Sequence, residues 1–309
     1  MKEVYFILGC TACGKASTAR ELAKQTGAAI LSVDSMKVYK RMNIGTAKPT
    51  QEVLDQIEHF GVNVVEPSEH YSVAEYIEHA KHAIDSTSAD NKPLIAVGGT
   101  SLYIQAMTKG LFDAPKPDPK IRAQLQQEVQ ETSPQHLHDE LKQVDPESAS
   151  RIHPNDAMRI VRALEVYRST GKPISQLQTQ WENAKPICKP VLIGLRREKE
   201  TQSKRINARV KKMVELGLVD EVKKLLEEPK PLAKQAAQAV GYAELIDHFE
   251  GKVPLEKAIE NIKVNTRRLA KKQRTWYRRW ADVNWFDLDE NETPAETVTK
   301  ILEKFSIGK

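Results

Sequence analysis

Seven residues near the start of the 309-residue chain have the types and spacing that bind phosphate: Gly9-Cys10-Thr11-Ala12-Cys13-Gly14-Lys15 reads G-x-x-x-x-G-K. Glycines let successive backbone amides converge on an anion, the helix that follows adds favourable potential, and the lysine adds a point charge. A loop of this kind usually continues with Ser or Thr, whose hydroxyl ligates Mg²⁺. Here Ala16 stands in that place, with Ser17 one residue on and about 100° further round the helix. Ser17 or Thr18 acts through water, another group holds the metal, or catalysis is weakened; the residues leave these readings open. Asp34 follows an apolar run and is placed to act as general base or metal ligand, or to cap a turn. Thr100, after Gly98-Gly99, brings a hydroxyl to the same edge. Cys10 and Cys13 also have C-x-x-C spacing, the redox pattern, but their glycine-flanked setting assigns them to the phosphate loop.

Position is supplied by the elements around these groups. Apolar runs at 4–8, 29–33, 94–97, 190–195 and 283–286 read as strands. Each leads into a glycine or polar loop, and the first is followed by helical spacing over 15–26, stopped at Gly27. Continuous apolar strands of this kind predict a parallel, buried sheet flanked by helices, an α/β core of the P-loop NTPase type. Residues 113–119 carry three prolines and read as a stiff hinge. Helical patterns follow at 121–131, 136–143 and 156–169, with no strand signal until the run at 190. The chain therefore divides into a core of residues 1–112 and 188–309 and an inserted all-helical domain of residues 113–187.

Charge and composition narrow the function. Basic residues number 47 and acidic ones 42, a net charge of +5. The excess is small as an average but concentrated in place. Between residues 263 and 279 lie Lys263, Arg267, Arg268, Lys271, Lys272, Arg274, Arg278 and Arg279 with no acid, accompanied by the aromatic Trp276, Tyr277 and Trp280. Basic and aromatic groups mixed around a helix predict a polyanion contact. No apolar run approaches a membrane span and the opening is too short for a signal peptide. Three cysteines fit a reducing compartment, so a cytoplasmic protein is expected.

The four motifs, in order, resemble the tRNA dimethylallyltransferases (isopentenyl transferases): the phosphate loop, Asp34-Ser35-Met36-Lys37-Val38-Tyr39, Asn43-Ile44-Gly45-Thr46-Ala47-Lys48, and Gly98-Gly99-Thr100-Ser101-Leu102-Tyr103. Further matches are His153-Pro154-Asn155, the 159–165 stretch, 205–210, Gln238-Ala239-Val240-Gly241-Tyr242, and 266–276. This sequence departs from the family pattern at Cys10 for Pro, Ala16 for Thr, Lys37 for Gln, Ser101 for Gly and Ala243 for Lys.

The resemblance implies transfer of a dimethylallyl group from dimethylallyl diphosphate to the exocyclic amine of the adenosine 3′ of the tRNA anticodon, with Mg²⁺ as cofactor. It implies Asp34 as base, Thr100 as an orienting group, and Lys15 and Arg209 on the diphosphate, together with loop residues Gly9 to Ser17. Ser17 is the candidate metal ligand. On the tRNA side it implies Asp34, Ser35, Met36, Lys37, Thr100, Arg122, Met158, Arg159, Ile160, Val161, Arg162, Gln238, Gly241 and Tyr242. The basic helix would add Arg267, Arg268, Lys271, Lys272 and Arg274 against backbone phosphates. A monomer is expected, with no membrane partner. A P-loop nucleotide kinase shares fold and loop but gives no reason for the basic aromatic helix. A catalytically weakened tRNA-binding relative remains open because Ala16 and Lys37 stand in the site itself.

Overall fold

The structure is a computed structural model and describes residues 1–111, 118–178 and 185–308. Two units result, one formed by Met1–Thr108 with Ile187–Lys309 and the other by Lys109–Pro186. The three-proline segment lies largely outside the described residues. Its end is a helix start instead of a hinge: the Asp118 carboxylate accepts the Lys120 amide at 2.8 Å, and Pro119 takes the first helical position, where its missing N–H costs nothing.

The first unit is built on six parallel strands: β1 (Glu3–Gly9), β2 (Ala29–Val33), β3 (His59–Phe60), β4 (Leu94–Gly98), β5 (Lys189–Arg196) and β6 (Asn284–Asp287). Their order is β3-β2-β4-β1-β5-β6. Val4 to Gly9 and all of β2 are buried, as strands covered by helices on both faces must be. β3 has no apolar run of its own; its two residues pair with Ile30 and Leu31 at the sheet edge.

A parallel sheet sends every strand's following loop to one edge. Here β1 runs beside β4 and β5, and β2 beside β4. The loops after β1, β2 and β4 therefore emerge side by side. Gly14, at φ +111°, leads into the helix Lys15–Thr26, and Gly27, at φ +68°, ends it. That helix buries Ala19 and Leu22 against Ile7 and Ile30 and against Val298 and Ile301 of the last helix, Pro294–Lys304. Among the described residues no helix is long and apolar enough to cross a membrane.

The second unit is all helical: Pro119–Glu131, Pro134–Val144, Pro146–Arg151, Ala157–Thr170 and Ile174–Gln178. Its own core is formed by residues such as Leu125, Leu137, Leu141, Ile160, Leu164 and Ile174. The buried Asp145 carboxylate accepts amides from two helix starts, Ser148 at 3.0 Å and Ser175 at 3.0 Å. Burial pushes its carboxyl up, but the hydrogen bonds from Ser148 and Ser175 outweigh it and hold the group below its usual value. Its stabilisation is present above the unfolded-state value, near 3.9, and is lost as pH falls through the lower folded value. Asp145→Ala should lower stability at neutral pH by about 1–2 kcal/mol through the lost cap. Denaturant titration of the full chain measures this, and the gap to wild type should close toward strongly acid pH.

Candidate active site

The phosphate loop is shaped from behind. Five consecutive carbonyls turn to named donors: Gly9 to the Tyr277 hydroxyl (3.3 Å), Cys10 to Lys15 Nζ (3.2 Å), Thr11 to Gln202 Nε2 (2.9 Å), Ala12 to Arg205 Nε (3.1 Å) and Cys13 to Arg197 Nε (3.0 Å). Ala12 sits at φ +62° and Gly14 at +111°, conformations that reverse the chain into the helix. The first-turn amides that follow have no intrahelical acceptor, which leaves them to an anion.

This arrangement divides the loop residues by task. Thr11, Ala12, Gly14, Lys15, Ala16 and Ser17 border a cavity of about 550 Å³. Gly9, Cys10 and Cys13 do not border it, which corrects the expectation for these three. A Cβ at Gly9 would meet the Leu195 carbonyl at 2.5 Å, so this glycine serves close packing. The Cys10 thiol packs with Ile206 and Ala270, whereas Cys13 belongs to the main core. The two thiols thus enter different clusters, and burial pushes that of Cys10 up, neither of which suits a redox pair.

Asp34 stands where β2 ends. Its Oδ1 accepts the amides of Met36 (2.9 Å) and Lys37 (3.4 Å), which fixes the carboxylate in a tight turn. Thr100 Oγ1 accepts the Ser35 amide at 3.0 Å and donates to Ser35 Oγ at 3.5 Å, tying the end of β4 to the end of β2. A second cavity, of about 570 Å³, is bordered by Ser35, Met36, Thr100, Gln238, Gly241 and Lys272. Asp34, Thr11, Arg209 and Gln273 border both cavities. The carboxylate therefore faces an anion-binding space and a second space of ligand size.

The first cavity is strongly cationic. Lys15, Arg20, Lys37, Arg205 and Arg209 border it, against the single carboxylate of Asp34. Burial lowers the Arg209 value, opposed by Asp34. Lys37 is lowered to about 8, chiefly by burial and further by Lys15, Arg209 and Arg20, while Asp34 opposes the shift. Lys37 thus stands with the phosphate loop; expected among tRNA-reading residues, it does not border the second cavity.

Ser17 Oγ donates to the Gly14 carbonyl at 2.7 Å and borders the cationic cavity. Among the described residues no group of three or more His, Cys, Asp or Glu side chains forms a metal cluster. The side-chain oxygens that border the cavity, the hydroxyls of Thr11, Ser17 and Thr46 and the Asp34 carboxylate, fit a Mg²⁺ held largely by phosphate oxygens and water.

Several expected tRNA contacts are corrected. Tyr242 is fully buried and its hydroxyl donates to Glu221 at 2.6 Å. Its ring occupies the space that a Cβ on Gly45 would need, at 2.4 Å. Glu221 in turn accepts the amides of Asn43 (2.9 Å) and Ile44 (2.8 Å). Tyr242 therefore holds a loop instead of reading a base. In the helical unit, Met158 is 75% exposed, whereas Ile160 and Val161 point into that unit's core, because one helix face must be buried. Arg159 lies at the surface beside Asp156, and Arg122 and Arg162 converge on Glu165 Oε2 at 2.8 and 2.6 Å.

The basic run lies on the long helix Leu255–Tyr277 as far as Arg274, with Arg278 and Arg279 just past the helix end. Arg267 donates to Asn207 at 2.6 Å and Arg268 to Asn265 at 3.1 Å, while Lys271 and Lys272 are exposed. Arg274 donates to Gln202 Oε1 at 2.6 Å. It therefore supports the side chain that holds the Thr11 carbonyl, a role behind the phosphate loop.

Gln273 lies within the 266–276 match, but sequence reasoning gave it no role. Its Oε1 accepts the Thr11 amide at 2.8 Å and its Nε2 donates to the Gly99 carbonyl at 3.2 Å. It thus ties the phosphate loop to the glycine turn after β4. Arg20 and Arg205 were likewise unassigned; their helix-face positions give a signal only once the cavity is known.

The family model described as IPP transferase matches residues 37–280. A tRNA dimethylallyltransferase of Geobacillus thermodenitrificans is 42% identical over 310 residues, covering 100% of this chain and 97% of the relative. The crystal structure of a full-length tRNA isopentenylpyrophosphate transferase from Bacillus halodurans is similar at 38% identity and a TM-score of 0.69, covering 98% of this chain and 96% of that one. A eukaryotic dimethylallyltransferase captured acting on tRNA is 28% identical with a TM-score of 0.82, covering 98% of this chain and 78% of its own. A phosphate loop and a carboxylate on one sheet edge, in a chain matched over nearly its full length, place it by descent as well as by geometry: the chain belongs to the tRNA dimethylallyltransferase family.

Proposed function

We propose that the protein transfers a dimethylallyl group from dimethylallyl diphosphate to the exocyclic amine of the adenosine immediately 3′ of the anticodon, releasing diphosphate. The observation that carries this reading is Asp34 bordering both the cationic phosphate-loop cavity and the second cavity. The amine attacks the first carbon of the dimethylallyl group, the carbon–oxygen bond breaks, and the electron pair leaves with the diphosphate. The amine's lone pair is delocalised into the purine, so the proton must be removed as attack proceeds. Asp34 takes it, held in place by the amides of Met36 and Lys37. Thr100, Ser35, Met36, Gln238 and Gly241 surround the adenine, which leaves the anticodon stack to reach them.

Lys15, Arg209 and the first-turn amides stabilise the charge that develops on the diphosphate. A Mg²⁺ with Ser17 as its protein ligand would neutralise part of that charge. Lys271 and Lys272 offer charge to the tRNA backbone, with Arg267 and Arg268 beside them. A monomer is the state that the family resemblance implies, and tRNA as substrate supports a cytoplasmic location.

The test is incubation with unmodified tRNA, dimethylallyl diphosphate and Mg²⁺, followed by nucleoside analysis. Prenylated adenosine is expected. Tight tRNA binding without product would favour a weakened relative, and ATP consumption a kinase; either would overturn the proposal. Gly99→Ala provides a check on Gln273. The added methyl would fall 2.2 Å from Gln273 Nε2 and push the amide off both partners. Turnover should fall roughly tenfold through the lost hydrogen bonds, with little change in melting temperature; unchanged turnover would remove Gln273 from the account.

A further inference from the structure

Ala16 and Lys37 lie far apart in sequence yet face the same spaces. Both border the cationic cavity, and both border a small adjoining pocket of about 20 Å³ that also touches Arg20 and Ser32. Ala16 occupies the position where a phosphate loop ordinarily offers a metal-ligating hydroxyl. Lys37 brings an ammonium group to the same wall. Its backbone is anchored by the turn in which its own amide donates to Asp34. Among the described residues its Nζ forms no ion pair within 4 Å; Asp34 attracts it from a distance, while Lys15, Arg209 and Arg20 act on it as like charges. Five cations, Arg205 included, sharing a concave space with one carboxylate repel one another until a polyanion enters. A lysine held there without a close partner is arranged for an anionic ligand.

We propose that Lys37 binds the diphosphate leaving group directly and carries part of the charge neutralisation that a hydroxyl-held Mg²⁺ supplies in other phosphate loops. The proposal rests on the diphosphate reading of this cavity. Lys37 is then a binding residue for the departing group, and the cradle keeps hold of pyrophosphate when the divalent cation is removed.

Calorimetric titration with inorganic pyrophosphate tests this on the full chain, in EDTA and in excess Mg²⁺. Wild type should bind in EDTA within about fivefold of its affinity in Mg²⁺. Lys37→Gln should weaken binding in EDTA by about 10- to 100-fold, the effect of losing a charged contact, and less in Mg²⁺. Lys37→Arg should largely retain it. Ala16→Thr, which restores the hydroxyl, should make Mg²⁺ tighten binding more than it does in wild type, and this variant tests the compensation even if Lys37→Gln does not fold. Loss of wild-type binding in EDTA overturns the proposal, as does a folded Lys37→Gln protein that binds like wild type there. Prenyl transfer to an anticodon stem-loop is measured on the same preparations. Transfer by wild type with no Lys37 effect on pyrophosphate rejects this inference alone, whereas neither transfer nor pyrophosphate binding by wild type rejects the diphosphate reading itself.

Discussion

Asp34→Asn is expected to lower single-turnover prenyl transfer by about 10²- to 10⁴-fold, the range of a lost general base. The substitution is chosen for what it preserves. The amide oxygen can still accept from Met36 and Lys37 as Oδ1 does at 2.9 and 3.4 Å, so the turn keeps its shape. Both cavities keep their walls, and only proton acceptance is removed. tRNA affinity should therefore stay within a few-fold of wild type, because phosphate contacts supply most of it. A rate within tenfold of wild type would mean that the proton leaves by another route.

Lys15→Met should lower kcat/KM by about 10²- to 10³-fold, as removal of a group stabilising developing anionic charge does elsewhere. Lys15 Nζ donates to the Cys10 carbonyl at 3.2 Å within the loop itself, so it stands ready beside the anion site. The loop should outlast the substitution, because Gln202, Arg205, Arg197 and Tyr277 hold the neighbouring carbonyls. The loss should fall on kcat and on the KM for dimethylallyl diphosphate, leaving the KM for tRNA nearly unchanged. An effect confined to tRNA would contradict the assignment.

The core was legible because its strands are buried on both faces and so appear as apolar runs; the stretch from Val4 to Leu8 is unbroken, and the stretch from Ala29 to Val33 is interrupted only by the small Ser32. β3 was not, since His59 and Phe60 owe their strand geometry to β2 alone. The phosphate loop, Asp34 and Thr100 were legible from local spacing and from the rule that parallel strands end on one edge. What escaped is what depends on distant contacts. Gln273 acts through Thr11 and Gly99, residues far away in sequence. Tyr242 and Arg274 look like surface groups in a motif, yet the first is spent on Glu221 and the second on Gln202. Ile160 and Val161 show the same limit within one helix: a motif names consecutive residues, but the helix turns some of them inward.

The most direct test is a crystal structure of the protein with a non-hydrolysable dimethylallyl thiodiphosphate and an anticodon stem-loop. The diphosphate should lie on the amides of Gly14 to Ser17 beside Lys15, and the exocyclic amine of an extruded adenine within hydrogen-bond reach of Asp34. A diphosphate bound elsewhere, or an adenine amine beyond the reach of that carboxylate, would contradict the proposed reaction.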